Sequence, residues 1–175
     1  MFSDPSTIIP QLDLQSGARV ADLGAGSGFF ALAAAKAVGG AGRVYAIDVK
    51  KDLPQKVKNS AVSQGLLNVE AVWGDVEVVG GTKLKDKSVD AAIIANLLFQ
   101  LQDQDGFFAE TTRILKNKGK ILVIDWKDSY GGLGPKASEV ITADQAKTMF
   151  EKAGFRFEKE INAGNHHYGL VFRKI

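Results

Sequence analysis

A doubly wound α/β fold, with a mostly parallel seven-stranded sheet and helices on both faces, is predicted by three features of the sequence. Short apolar runs alternate with longer stretches of helical period from residue 18 to residue 153. A glycine-rich turn, Gly24-Ala-Gly-Ser-Gly28, separates the first such run from the first such stretch. The last two runs are joined by a few polar residues with no helix between them, and only antiparallel strands tolerate so short a link. Strands alternating with helices call for a parallel sheet covered on both faces. The expected order is five βα units closed by an antiparallel C-terminal hairpin.

Each element has a local reason. Ala18–Leu23 reads as a buried strand ended by the glycines, and a helix should follow from about Ser27 to Val38. Phe29, Leu32, Ala33 and Lys36 fall at helical spacing there, among alanines small enough for close approach to a sheet. Gly39–Gly42 stops that helix. Arg43–Asp48 is the second strand, and Leu53–Gln64 a polar helix ended by Gly65. Asn68–Trp73 and Ser88–Ala95 are the third and fourth strands, the latter entered through the turn Lys85-Asp-Lys87. A helix near Asp103–Leu115 aligns Phe107, Thr111, Ile114 and Leu115. Lys118-Gly119 then turns the chain into the strand Lys120–Trp126. Residues Lys127–Ser138, with three glycines and a proline, read as an exposed loop. The last helix, Ala143–Ala153, aligns Ala146, Met149, Phe150 and Ala153, and the strands Phe155–Ile161 and His167–Arg173 flank the turn Asn162–Asn165.

Composition narrows the function. Of 175 residues, 45% are hydrophobic and 24% charged, the balance of a globular domain with a sizeable core. The net charge of +2 demands no polyanionic partner. The absence of cysteine removes disulfides, thiolate metal sites and cysteine nucleophiles, and no metal is expected. Met1–Gln11 has neither a basic start nor a long apolar core, so no signal peptide is expected. Apolar runs such as Ala91–Ala95 and Ile121–Ile124 are too short to span a bilayer. A cytoplasmic location is the expectation.

The chemistry gathers at strand ends. Glycines at 24, 26 and 28 let the backbone turn and approach a ligand, and the helix behind them offers free N–H groups. Asp48 ends the second strand, about twenty residues beyond the glycines, where a carboxylate can accept both hydroxyls of a ribose. Asp75 follows the third strand in Trp73-Gly-Asp75. Singly, the glycine turn could be a mere connector, and Asp48 or Asp75 a helix cap. Together they point to one adenosine-sized pocket at the carboxyl edge of the sheet. A dinucleotide site wants a glycine where this chain has Phe29, which should obstruct helix–strand approach around a pyrophosphate. Asp22, beside the glycine turn, is unfavourable near phosphate but suits a cationic amino-acid moiety. The electrostatics favour S-adenosylmethionine over NAD.

Val20-Ala-Asp-Leu-Gly-Ala-Gly-Ser-Gly28 resembles motif I of the class I S-adenosylmethionine-dependent methyltransferases. Gly42-Arg-Val-Tyr-Ala-Ile-Asp48, Trp73-Gly-Asp75, Val89-Asp-Ala-Ala-Ile-Ile-Ala-Asn96 and Arg113-Ile-Leu-Lys-Asn-Lys-Gly119 resemble the later motifs in order and spacing. The similarity covers roughly residues 16–175 and is nearest the ubiquinone/menaquinone-biosynthesis C-methyltransferase branch and its small relatives. It implies a Rossmann-like methyltransferase fold, with residues 1–175 as a single domain. It also implies that Gly24, Ala25, Gly26 and Gly28 hold the methionine part, with Asp22 organising its ammonium. Asp48 and Val49 would take the ribose, while Gly74, Asp75 and Val76 would read the adenine. Asn96 and Leu97 would line the reactive end, with Leu98 behind them.

Methyl transfer from a sulfonium needs positioning and exclusion of water, and a base only when the acceptor must lose a proton. Candidate bases are Asp125, His166 and His167; the histidines read first as a structural turn or sheet-edge pair, and Trp126 and Tyr168 could either pack or stack on substrate. The fourth strand leads into Asn96-Leu-Leu-Phe-Gln100, unlike the Asn/Asp-Pro-Pro-aromatic motif of enzymes that methylate base amines. The lack of cysteine sets aside thiol-dependent arsenite methylation and pyrimidine C5 methylation. A lid must come from residues 1–15 or from Ser129–Ser138, which is little cover for a lipid quinone. A small-molecule acceptor is therefore expected. Lys50, Lys51, Lys56 and Lys58 leave RNA or an acidic protein as the alternative acceptor. The same pocket would also suit a non-catalytic S-adenosylmethionine-binding module or, less well, a nicotinamide-dependent reductase.

Overall fold

The structure, a computed structural model, describes residues 3–175. Seven strands form one sheet: β1 (Arg19–Leu23), β2 (Arg43–Asp48), β3 (Val69–Trp73), β4 (Val89–Ala95), β5 (Leu115–Trp126), β6 (Phe155–Ile161) and β7 (His167–Lys174). Their spatial order is β3-β2-β1-β4-β5-β7-β6. β1 to β5 pair in parallel, and β7 lies antiparallel between β5 and β6. The chain runs outward from β1 to β3, then returns to β4 on the other side of β1. That reversal opens a crevice above the carboxyl ends of β1 and β4, where open α/β sheets take ligands.

The helices are α1 (Pro5–Ile8), continued by a 3₁₀ turn over Ile9–Leu12, then α2 (Phe29–Val38), α3 (Leu53–Ser63), α4 (Gln104–Ile114) and α5 (Ala143–Lys152). Both sheet faces are covered. On one, Val20, Val44, Ile93, Leu122 and Val171 pack with α2, with Val57 of α3, and with Ile8, Ile9 and Leu12. On the other, Leu23, Ile47, Ile94, Val123 and Phe172 pack with Phe107 and Ile114 of α4 and Ala146 and Phe150 of α5.

Four details differ from the sequence reading. No helix joins β3 to β4, so there are four βα units and not five. The crossing over residues 74–88 is instead pinned by Glu110 of α4. This buried carboxylate accepts the N–H groups of Gly80 and Thr82, at 2.7 and 3.1 Å, and the Thr82 hydroxyl. Secondly, α2 buries Phe30, Ala31, Ala34, Ala35 and Val38 together with Leu32, while Phe29 and Lys36 face solvent. An alanine-rich helix gives too little polarity contrast to fix its inner face from periodicity. Thirdly, β5 begins at Leu115, which pairs with Val89 across an irregular register. Finally, α1 and its 3₁₀ extension were not expected. They supply three buried side chains to the part of the sheet that α2 and α3 leave open.

Candidate active site

The carboxyl ends of β1, β2, β3 and β4 open into a cleft of about 450 Å³. The segment after β1 makes the floor. Gly24 and Ala25 both donate their N–H groups to the Ile47 carbonyl of β2, each at 2.9 Å, which draws the glycine turn against the neighbouring strand. Gly26 has φ +54, and a Cβ there would meet nothing within 4 Å, so this backbone faces open space in the cleft. The N-terminus of α2 follows, with its first N–H groups not yet committed to helix bonds.

Of the twelve residues expected to hold the cofactor, eleven line this one cleft: Asp22, Gly24, Ala25, Gly26, Asp48, Val49, Gly74, Asp75, Val76, Asn96 and Leu97. Gly28 stands off it. Its φ of +82 N-caps α2, and a Cβ would come within 2.8 Å of Val57, so its role is helix entry and packing against α3. Phe29 is 69% exposed at the cleft mouth and does not separate helix from strand. The expected obstruction by its ring is therefore not what disfavours a pyrophosphate. Asp22 does that.

Asp22 is 1% exposed, and its Oδ2 has no hydrogen-bond partner among the described residues. Burial pushes its carboxyl up to about 7; the Ala31 N–H draws it back and the nearby Asp48 adds to the rise. Asp48 is held differently: its Oδ2 accepts the Gly26 N–H and its Oδ1 the Lys50 N–H, both at 2.9 Å. Asp75 accepts the Glu77 N–H at 2.9 Å. Asn96 takes the left-handed conformation, φ +55, and donates its N–H to the Ile124 carbonyl of β5 at 2.8 Å. Its buried Oδ1 is also unpartnered among the described residues.

A cleft this size, with two orphaned buried oxygens, three carboxylates and an open glycine backbone, fits a cationic adenosine ligand. Asp22 needs a cation or a donor to justify its burial, and an ammonium supplies both. A pyrophosphate would repel it.

The sequence reading missed Ser3, Pro5, Lys50, Leu53, Glu77 and Gln100, which also line the cleft. For Ser3 and Pro5 a signal existed. Asp4 before Pro5 is an N-cap before an N1 proline, and Asp4 Oδ1 accepts the Ser6 N–H at 2.9 Å. Glu77 also locks the cleft wall, accepting the N–H groups of Gln102, at 2.6 Å, and Asp103.

The three candidate bases lie outside the lining. Asp125 is buried, and it accepts the N–H groups of Leu98 and Trp126 at 2.9 and 2.8 Å, clamping the chain after β4 onto β5. Burial raises it to about 6 against those bonds. His166 sits 3.2 Å from Asp128 and against the Tyr130 ring. His167 is buried beside Trp126, with ring centroids 4.3 Å apart. Tyr168 donates its hydroxyl to the Ile141 carbonyl at 3.0 Å, a packing role. The lysine cluster is a solvated face: Lys56 pairs with Asp52 in the next turn and Lys51 lies over the Trp73 ring.

Comparison with known proteins agrees with this geometry. The model of the methyltransferase domain family matches residues 14–164. A ubiquinone/menaquinone biosynthesis C-methyltransferase of Hahella chejuensis is 27% identical over 75% of this chain and 52% of its own length. An aklanonic acid methyltransferase of a Streptomyces species is 30% identical over 61% of this chain and 47% of its own. The chain thus spans about half the length of the curated relatives it matches. A solved S-adenosylmethionine-dependent methyltransferase from Aquifex aeolicus superposes with a TM-score of 0.89 at 28% identity, over 99% of this chain and 91% of that one. The chain belongs to the class I S-adenosylmethionine-dependent methyltransferases, and S-adenosylmethionine is the cofactor that its family and its cleft imply.

Proposed function

We propose that the protein transfers a methyl group from S-adenosylmethionine to a small-molecule acceptor. The observation that carries the reading is the convergence of Asp22, Asp48 and Asp75, from three successive strands, on one cleft floored by an open glycine backbone. Bound S-adenosylmethionine supplies an activated methyl group on a sulfonium. Around it, Asp22 balances the ammonium and Asp48 accepts the ribose hydroxyls. Asp75 and the Val76 backbone read the adenine edge. Asn96 and Leu97 line the reactive end and keep water from it, while the Gly24–Gly26 backbone holds the methionine part. A small acceptor is supported by the local engagement of two of the four lysines, Lys56 with Asp52 and Lys51 with the Trp73 ring. The proposal includes a cytoplasmic location and a single methyltransferase domain over residues 1–175. No helix among the described residues is long and apolar enough to cross a membrane.

Calorimetric titration with S-adenosylmethionine, S-adenosylhomocysteine and NADH tests the cofactor. Micromolar binding of the first two and none of the third is expected, and binding of NADH alone overturns the reading. Labelled methyl transfer onto a panel of small molecules, RNA and protein then tests the acceptor class. Label appearing only on RNA or protein would replace the small-molecule assignment.

A further inference from the structure

Trp73, the last residue of β3, stands opposite Asp48, the last residue of β2, in the parallel register of the two strands. It packs into neither core layer and is 49% exposed, so burial does not account for a tryptophan here. Nor does its side chain line the cofactor cleft. It holds a turn. The indole Nε1 donates to the Val49 carbonyl at 2.9 Å, across the gap between the two strand ends. Val49 does line the cleft, and its side chain is exposed, with little packing to fix the backbone that carries it.

The Val49 carbonyl belongs to the same peptide unit as the Lys50 N–H, and that N–H donates to Asp48 Oδ1 at 2.9 Å. A peptide unit is planar, so fixing its oxygen on one side aims its N–H on the other. The series runs on through Asp48 Oδ2 to the Gly26 N–H at 2.9 Å. Indole, peptide, carboxylate and glycine turn are thus linked, and each bond polarises the next. The indole is braced in turn. Lys83 donates to the Trp73 carbonyl at 2.6 Å, and the Lys51 and Lys83 ammoniums lie 5.0 and 5.2 Å from the ring centroid. A phenylalanine would keep the ring contacts with both cations but has no donor for Val49.

We infer that Trp73 is a positioning residue: through the Val49–Lys50 peptide it aims the Asp48 carboxylate at the ribose hydroxyls of the cofactor. The inference rests on the cofactor reading above and adds a residue that lies outside the cleft. A carboxylate offers about four lone-pair sites. The Lys50 and Gly26 N–H groups each take one, on different oxygens, which leaves one site on each oxygen for a hydroxyl of the diol. Without the indole bond the peptide can turn, the Lys50 N–H leaves Oδ1, and the carboxylate samples orientations that do not meet both hydroxyls.

The test is a double-mutant cycle read by calorimetric titration with S-adenosylhomocysteine. The unmodified chain, Trp73→Phe, Asp48→Ala and the double variant are compared. Trp73→Phe should bind about threefold to tenfold more weakly, the worth of one hydrogen bond. In the Asp48→Ala background the same substitution should change affinity by less than about twofold, because the group it positions is gone. Amide exchange at Lys50, followed by NMR, should be faster in Trp73→Phe, with Tm nearly unchanged. Equal weakening in both backgrounds would make the role merely structural and overturns the inference. Unchanged affinity in Trp73→Phe, unchanged exchange at Lys50 or a large fall in Tm also overturns it. The Lys50 exchange decides alone if Asp48→Ala lowers affinity beyond the reach of titration. Absence of binding to the unmodified chain is a distinct failure, which removes the cofactor reading and the inference with it.

Discussion

The Asp48 carboxylate accepts the Gly26 N–H at 2.9 Å and so ties the end of β2 to the glycine turn after β1. A second bond, from the Lys50 N–H at 2.9 Å, fixes the other oxygen. One side chain thereby shapes two walls of the cleft. In the proposed complex its outward lone pairs also accept the ribose hydroxyls.

Asp48→Ala should therefore weaken S-adenosylmethionine binding by about 1–3 kcal/mol, the range for polar groups left without a charged partner. Asp48→Asn should fall between, since its amide oxygen can still accept from Gly26. Calorimetric titration of the three proteins checks the order. Affinity unchanged in the alanine variant would place the ribose elsewhere.

Gly26→Val tests the floor. The backbone at φ +54 disfavours a β-branched residue by roughly 1–2 kcal/mol, and the new side chain enters the space opposite Asp22 and Asp48. The expected outcome is a folded protein, by circular dichroism, with a slightly lower Tm and no detectable cofactor binding. Retained affinity would show that the ligand does not approach this backbone.

Asp22 links the cleft to pH. Its carboxyl, near 7 when folded, titrates around 3.9 in an unfolded chain. Between those values the folded state holds the extra proton, so this group's contribution to stability falls as pH rises from about 4 and levels off above about 7. Asp125, raised to about 6, adds to the same slope at its lower end. An ammonium favours the ionised form of Asp22, so cofactor affinity should rise as pH climbs towards 7, with a proton released on binding. Calorimetry at pH 6.5 in two buffers of different ionisation enthalpy measures that release. Asp22→Asn should abolish it, weaken binding and raise the Tm of the ligand-free protein at pH 8. Binding of S-adenosylmethionine without proton release would mean that Asp22 is ionised before the ligand arrives.

These residues were legible because strand ends are legible. Asp22, Asp48 and Asp75 each close a run of apolar residues, and a parallel sheet brings such ends to one edge whatever lies between. What lay between was less readable. The stretch from Gly74 to Ser88 has the length of a short crossover helix, which the expectation of five βα units assumed, although Gly80 and Gly81 stand in its middle. Its true anchor, Glu110, lies on α4, thirty residues from Gly80, and no local pattern announces that contact. The inner face of α2 was misjudged because alanine packs against a sheet as readily as leucine does, and periodicity counts it as nearly neutral. Glu77 and Gln100 reach the cleft only through the turns that carry them, so only the folded chain shows them there.

Glu110 carries the last prediction, because it supports the site without touching the cleft. Burial alone would raise its pKa, but Arg113, Thr82 and the Gly80 N–H overcome it and hold the carboxyl at about 2. Arg113 contributes an ion pair at 2.8 Å and reaches Asp86 at 2.6 Å, so this pair ties Gly80, Thr82 and Asp86 of the crossing to α4. Removing Glu110 leaves Arg113 with Asp86 alone and the Gly80 and Thr82 N–H groups without an acceptor, and Glu110→Ala should cost about 1–3 kcal/mol, read from the urea midpoint. Glu110→Gln should cost less, since it can still accept from Gly80 and Thr82. Gly74, Asp75 and Val76 ride on the same crossing, so both variants should also bind S-adenosylmethionine more weakly, with faster amide exchange at Gly80 and Thr82. Lost stability with unchanged affinity and exchange would show that the adenine wall is held from β3 alone.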